Sequence, residues 1–487
     1  MCKKYALMIL SALTLLLASG CQAAPDSAAV TSKNDGAFEA ALEDTVSPAT
    51  VPEDAEPVTY TDSFTNADGD TSFQVELDVP TASANMPVLR VRPKTITAES
   101  AKHVAEVLFG DADIYEYSEK WSKEKLEELI LSLRQRLSDE DAMEQHYGAM
   151  KDTIGEQMGT VIASYEDAYA TAPEKAEVSP CAWEFHPPSW YYDLSWMDAE
   201  DPEETVSYNK SQLIVATSER DGLPYIYRVI NREEEDYRIH SITCGINGEL
   251  VDEELIYSTQ VPTAAEMAET QAAAETMLNT LDLGQWVVDS CVMQETGSPF
   301  GATKYEVVVT ACPIYNGVKV SHQQQLESLR TDDAYASNYD YEEMVFTFSG
   351  GNLISFGYYS PLEVVDAVNE NMAILSFEEA MEKCKSQLQM SLLAGDPYAS
   401  TDFYQAFRKD VHVYQAELGL VRTRIKDNAA DFYLLPAYTF RASYTLHDQN
   451  GGLVFDSTVL EQAGLIAKEL LVINAVDGSV INTQLGY

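Results

Sequence analysis

Two serine–lysine pairs stand at the spacing that lets a lysine take a proton from a serine hydroxyl one helical turn away, Ser122-Lys123-Glu124-Lys125 and Ser207-Tyr208-Asn209-Lys210. Acyl transfer of that kind also needs a Lys-Ser/Thr-Gly strand, and the chain has none. Ser122 reads instead as the N-cap of a helix. There is no Gly-x-Ser-x-Gly elbow, no phosphate-binding glycine loop and no dinucleotide fingerprint, so no cofactor is expected. His103, His146, His186, His240, His322, His412 and His447 are scattered, with no pair at metal-ligand spacing. Asn66-Ala67-Asp68-Gly69-Asp70 sets oxygen ligands around a glycine but lacks the alternation and distal glutamate of a calcium loop, so a solvated hairpin turn is expected. Acidic runs such as Glu233-Glu234-Glu235-Asp236 read as solvent faces. Glycosidase chemistry would need two carboxylates in one cleft with separated pKa values.

One stretch is concentrated enough in side chains that bind. Trp183, Trp190, Tyr191, Tyr192 and Trp196, with Phe185, fall around His186-Pro187-Pro188-Ser189. The prolines break regular structure, so the aromatics sit on a loop. Such a loop either plugs a gap between helices and sheet, the favoured reading, or offers a platform on which a sugar or peptide stacks.

The first residues say where the chain goes. Lys3 and Lys4 precede the apolar run Tyr5–Leu17, which is shorter than the ~20 residues a spanning helix needs. Leu17-Ala18-Ser19-Gly20-Cys21 follows and resembles the lipobox of bacterial lipoproteins, with Leu17 one place farther from the cysteine than is usual. The resemblance implies cleavage before Cys21 and a diacylglyceryl group on its sulfur, which makes the membrane a partner through lipid at the extracytoplasmic face. Two acyl chains anchor stably where one does not. Lys+Arg number 31 against 79 Asp+Glu, a net charge of −48. Nucleic acid is excluded as a partner, and anionic lipid would repel the body. Beyond Cys2 and Cys21 the remaining thiols, Cys181, Cys244, Cys291, Cys312 and Cys384, are widely spaced without a Cys-x-x-Cys. Buried free thiols are expected, with a single disulfide left open.

Those features need elements to carry them. Residues 21–56, rich in Ala, Pro, Ser, Asp and Glu, read as an acidic tether. Strands are expected at 58–64, 72–77 and 87–91, with Asp68-Gly69 as a turn. Thr97 caps a helix ending at Gly110. Leu126, Leu129, Ile130, Leu133 and Leu137 form one helical stripe, and Met143 to Tyr169 another. Together they predict an antiparallel helical hairpin over 122–170. Strands return over 205–260. Thr263–Glu266 and Ser376–Glu379 are capping boxes, each opening a helix followed by several antiparallel strands. The fold class is therefore α+β, with antiparallel sheets and packed helices in two or three modules. The expected divisions are a signal at 1–20, the tether, an N-terminal module at 57–260, a middle module at 261–375 and a C-terminal module at 376–487.

The last module, through Ser376-Phe377-Glu378-Glu379-Ala380-Met381-Glu382-Lys383-Cys384 and the closing Leu471–Val480, resembles PepSY-type extracytoplasmic units. Tyr433–Phe440 is similar to the extracellular regulators of Gram-positive cell-wall histidine kinases. The whole, with its Asn34-Asp35-Gly36 start, looks like uncharacterised lipoproteins of gut clostridia. These resemblances imply inhibitory or regulatory partnership. From the anchor, the tether and the missing catalytic motifs, a lipid-anchored, non-enzymatic module binding a protein, peptide or glycan of the envelope is expected. The alternatives are an envelope hydrolase with a nonstandard site, or a solute-binding lipoprotein. The latter would need a βαβ rhythm that this chain lacks.

Overall fold

The computed structural model describes residues 42, 45–47, 58–83, 85–118, 121–140, 143–144, 151–175, 178–191, 210–234, 238–247, 256–296, 303–321, 339–390, 408–426, 428–448, 450–458 and 469–483. Cys21, Tyr192 and Trp196 lie outside them. In chain order come β1 (Thr59–Thr65), β2 (Thr71–Asp78), β3 (Val88–Pro93), α1 (Ala98–Phe109), β4 (Tyr115–Glu116), α2 (Lys123–Ser138) and α3 (Lys151–Tyr169). Then follow β5 (Gln212–Arg220), β6 (Leu223–Glu233), β7 (Arg238–Ile246), α4 (Ala264–Leu281), β8 (Gln285–Thr296), β9 (Lys304–Tyr315) and β10 (Val318–Lys319). The remainder is β11 (Glu343–Ser349), β12 (Asn352–Tyr359), β13 (Leu362–Asn369), α5 (Phe377–Met390), β14 (Arg408–Ile425), β15 (Asn428–His447), β16 (Leu453–Asp456), β17 (Glu469–Asn474) and β18 (Val480–Ile481).

The strands form two nine-stranded sheets. Sheet I holds β1–β3 and β13–β18; sheet II holds β4–β12. Pairing is antiparallel except for β2 with β14, where Phe73 faces Val411. These sheets regroup the chain relative to the sequence expectation. Strands β1–β3 complete a sheet with the C-terminal strands, and β5–β7 share a sheet with β8–β12 across the boundary expected at 260/261. The reason is pairing between distant segments, which no local window carries.

Local chemistry accounts for the elements themselves. Thr97 and Ser122 accept from the N–H groups of Ser100 and Lys125, and Thr263 and Glu266 complete a reciprocal capping box. Ser376 and Glu379 do the same at α5, at 2.9 and 3.2 Å. The β5–β6 turn places Asp221 and Gly222 at φ 54° and 77°, the left-handed pair a tight hairpin requires. Helices α1 and α4 cover one face of sheet II, burying Val104, Leu108, Ala274 and Leu278 against Ile214, Tyr227, Val309 and Phe346. Helix α5 covers sheet I with Phe377, Met381, Cys384 and Leu388 against Phe73, Val413, Phe440 and Leu471. Helices α2 and α3 leave from beside β4 and pack on each other. Leu137 lies over Gly155, Trp121 meets Tyr165 edge to face, and Arg134 pairs with Glu166. Only Leu126, Ile130 and Ile162 are buried on the two. No helix among the described residues is long and apolar enough to cross a membrane.

The two sheets meet where β14 passes residues 319–321. Val320 bridges Leu420, and the Ser321 N–H donates to the Leu420 carbonyl at 2.9 Å. Gly419 permits this approach: a Cβ there would collide with the Ser321 hydroxyl and stand 2.9 Å from the Lys319 carbonyl oxygen. Gly419→Ala is therefore expected to destabilise the chain by about 1–3 kcal/mol, the cost of overpacking. Gly159→Ala, with nothing within 4 Å, should stabilise it by up to about 1 kcal/mol. Denaturant unfolding of the two variants checks the contrast.

Candidate functional site

The aromatic loop wraps the outer edge of β5. Glu116 donates its N–H to Ser179, Cys181 to Ile114, and His186 and Leu213 exchange backbone hydrogen bonds at 2.8 Å. Residues on either side of His186 then fall to opposite faces of sheet II. Trp183 packs edge to face on Tyr227, ring centroids 6.2 Å apart, within the core under α1 and α4. It adopts a left-handed backbone, φ 56°, which a non-glycine residue holds only when packing over-determines it. Tyr191 is buried on the other face with Leu213 and Val215. Between them, Pro188–Trp190 form a single 3-10 turn that leaves Trp190 64% exposed. Its indole lies flat on the His186 ring, centroids 4.4 Å apart and planes 12° apart. The expected cluster is thus divided: Trp183 and Tyr191 plug, Trp190 faces solvent, and Tyr192 and Trp196 fall outside the described residues.

Other chemistry-bearing residues fall into structural roles. Ser122 caps α2. Asn66 spends its side chain on Asp70 and on the Thr71 N–H, as a closed hairpin turn does. Cys181, Cys244, Cys291, Cys312 and Cys384 are free, and all except Cys291 are buried. Burial pushes the Cys181 thiol up to about 11, far from a reactive thiolate.

A second group, not singled out from the sequence, lies in the junction between the sheets. Glu342 is 9% exposed and accepts hydrogen bonds from the Tyr315 and Tyr358 hydroxyls. Arg422 donates to the carbonyls of Tyr339 and Asp340, its guanidinium 4.3 Å from the Tyr341 ring centroid and 4.5 Å from that of Phe432. Lys319 bridges Asp289 of β8 and Glu417 of β14, the latter at 2.7 Å. Burial pushes Glu342 up to about 7, against the opposing hydrogen bonds from Tyr315, the Leu362 N–H and Tyr358. Burial, reinforced by Asp340, does the same to Glu343. Glu469 also rises to about 7 through burial, with Glu417 adding to it and Thr483 and Arg441 opposing. Carboxyls so poised suit general acid catalysis. The cavity that Glu342 and Glu343 line, beside Ser321 and Arg422, has room for about one water molecule. The only sequence signal of this site is Tyr339-Asp340-Tyr341-Glu342-Glu343, which reads as another acidic run.

No family model matches the sequence, and no curated protein matches it. Among solved structures, the chain aligns with an uncharacterized protein from Eubacterium rectale ATCC 33656 at 10% identity and a TM-score of 0.39. That alignment covers 84% of this chain and 90% of the other.

Two measurements follow from this geometry. Tyr191→Ala should cost about 3 kcal/mol, as loss of a buried aromatic does, and Trp190→Ala less than about 0.5 kcal/mol, both read by denaturant unfolding. A carboxyl raised above its ordinary 4.5 holds its proton more tightly in the folded chain than in the unfolded one. Its stabilising contribution is complete below about 4.5 and is lost as pH rises through about 7. The melting temperature should therefore fall between about pH 5 and about pH 8, and fall less in Glu342→Gln, which stays neutral throughout. Parallel curves for the two proteins would refute this.

Proposed function

We propose that the chain is a lipid-anchored, extracytoplasmic binding or regulatory protein of the cell envelope, without catalytic activity, held by a diacylglyceryl group on Cys21. The observation that carries the binding role is the Trp190–His186 stack. An indole two-thirds exposed yet held flat by a ring beneath it is a rigid apolar face, ready to take a sugar or peptide at little entropic cost. Glu342 and Glu343 of the sheet junction, by contrast, line a cavity with room for about one water molecule. The leader and Cys21 support the anchored placement, and the acidic stretch after them supports a body held away from the bilayer. Residues 122–170 are read as a helical hairpin standing out beside the aromatic loop. The unit of α5 with β14–β18, which resembles PepSY-type modules, favours a regulatory partnership in which an envelope protein, peptide or glycan is the ligand.

Two experiments separate the parts. Mass spectrometry of the processed N-terminus should show an acylated Cys21, and Cys21→Ala should move the protein from the membrane fraction to the medium; an unmodified Cys21 removes the anchor. Retention on purified cell-wall polysaccharide or envelope peptide fractions should fall at least tenfold in Trp190→Ala. Equal retention of wild type and variant removes the proposed binding face.

A further inference from the structure

The stretch expected to be tether has a fixed seat on the body. Val46 and Asn371 exchange hydrogen bonds as neighbouring strands do, the Val46 N–H donating to the Asn371 carbonyl at 3.0 Å. The return bond is a side chain: Asn371 Nδ2 donates to the Val46 carbonyl, also at 3.0 Å. Asn371 Oδ1 meanwhile accepts the Met86 N–H at 2.9 Å, and the Met372 N–H donates to the Met86 carbonyl. Asn369 Nδ2 donates to the Leu42 carbonyl at 2.9 Å, and its Oδ1 accepts the Asn371 N–H. Thr45 forms an antiparallel bridge with Met372. The Leu42 side chain packs against the apolar cluster of Val88, Met372, Val421, Leu435 and Val472.

Asn369 and Asn371 are 4% and 7% exposed. Each uses its oxygen within the body and its amide nitrogen on the incoming segment. Leaving a buried donor unmade costs more than a made hydrogen bond contributes, so both side chains favour the occupied state. Leu42 adds apolar burial to the same end.

We propose that this is a strap. Residue 42 and residues 45–47 occupy a slot whose clasp is Asn369 and Asn371, so the tether expected over 21–56 is seized at residue 42. Any pull on the N-terminus then enters the fold at Asn369–Met372, beside α5, and not at β1. The span from Cys21 to Leu42, at about 3.4 Å per extended residue, limits the distance between them to roughly 70 Å. The strap is independent of the lipid, because no group in the slot involves Cys21.

Hydrogen exchange on the full processed chain tests it. The Val46 amide should exchange at least tenfold more slowly than an unstructured peptide of the same sequence, and Asn371→Ala should abolish that protection. Leu42→Asp lies outside the sheets, so it should release the strap while the body keeps its cooperative thermal transition. It guards against a clasp variant that merely unfolds. Unprotected Val46 in the wild type, or a Val46 still protected in Leu42→Asp, would overturn the strap.

Discussion

The β14–β15 pair is the constraint on which the fold depends. Its strands run 18 and 20 residues, several times the usual length. At about 3.3 Å per residue, β15 spans roughly 65 Å. Apart from β14 and β15 themselves, no strand among the described residues matches that length. The far edge of β15 is therefore handed from β3 at Phe432–Leu434 to β17 at Ala437–Arg441, and then to β16 at Thr445–His447. The far edge of β14 takes β2 at one end and touches Val320 of the other sheet near its middle. Recruiting β1–β3 from the start of the chain follows from the unpaired backbone groups this long hairpin would otherwise expose.

The junction between the sheets follows from the same geometry. Where β14 crosses residues 319–321, Gly419 lies against backbone, and Val318 and Val320 pack with Leu89, Leu420, Phe432 and Leu434 beside it. The surrounding gap is filled by polar groups that reach: Arg422 onto carbonyls and aromatic faces, Lys319 between two carboxylates, tyrosines onto Glu342. Such a junction specifies one relative placement of the sheets, because Arg422, Lys319 and Glu342 each have directional partners. It also buries carboxyls whose charge is expensive, which makes its stability respond to pH near neutrality. The poise of Glu342 is thus a consequence of packing.

The opposite rim of sheet II has the contrary character. Two helices and the aromatic loop both leave from the edge made by β4 and β5, and the Glu116–Ser179 hydrogen bond closes the excursion between them. Leu131, Val161, Val178 and Trp190 on these segments are exposed. A rim that pairs an anchored, tightly packed base with an exposed aromatic tip is where contact with another molecule costs least rearrangement.

Helix starts and hairpin turns were legible in the chain because their chemistry is contained in a few consecutive residues. Thr97, Ser122, Thr263 and Ser376 cap the helices they announce, and Asp68-Gly69 turns where it stands. Strand β13 was not legible: Leu362–Asn369 shows neither alternation nor an apolar run, since most of its side chains face solvent on an irregular edge. The aromatic loop could be found by composition, but not which ring it buries, because that depends on the edge of β5 it folds around. Which strands share a sheet, which acid sits between tyrosines and which asparagines clasp residue 42 were decided only by tertiary structure. Ser72 and Asp410 are hydrogen-bonded across 338 residues of sequence. Local propensity acts over a turn or two of chain, whereas the pairing of β2 with β14, and everything it positions, is set by the free energy of closing loops far longer than that.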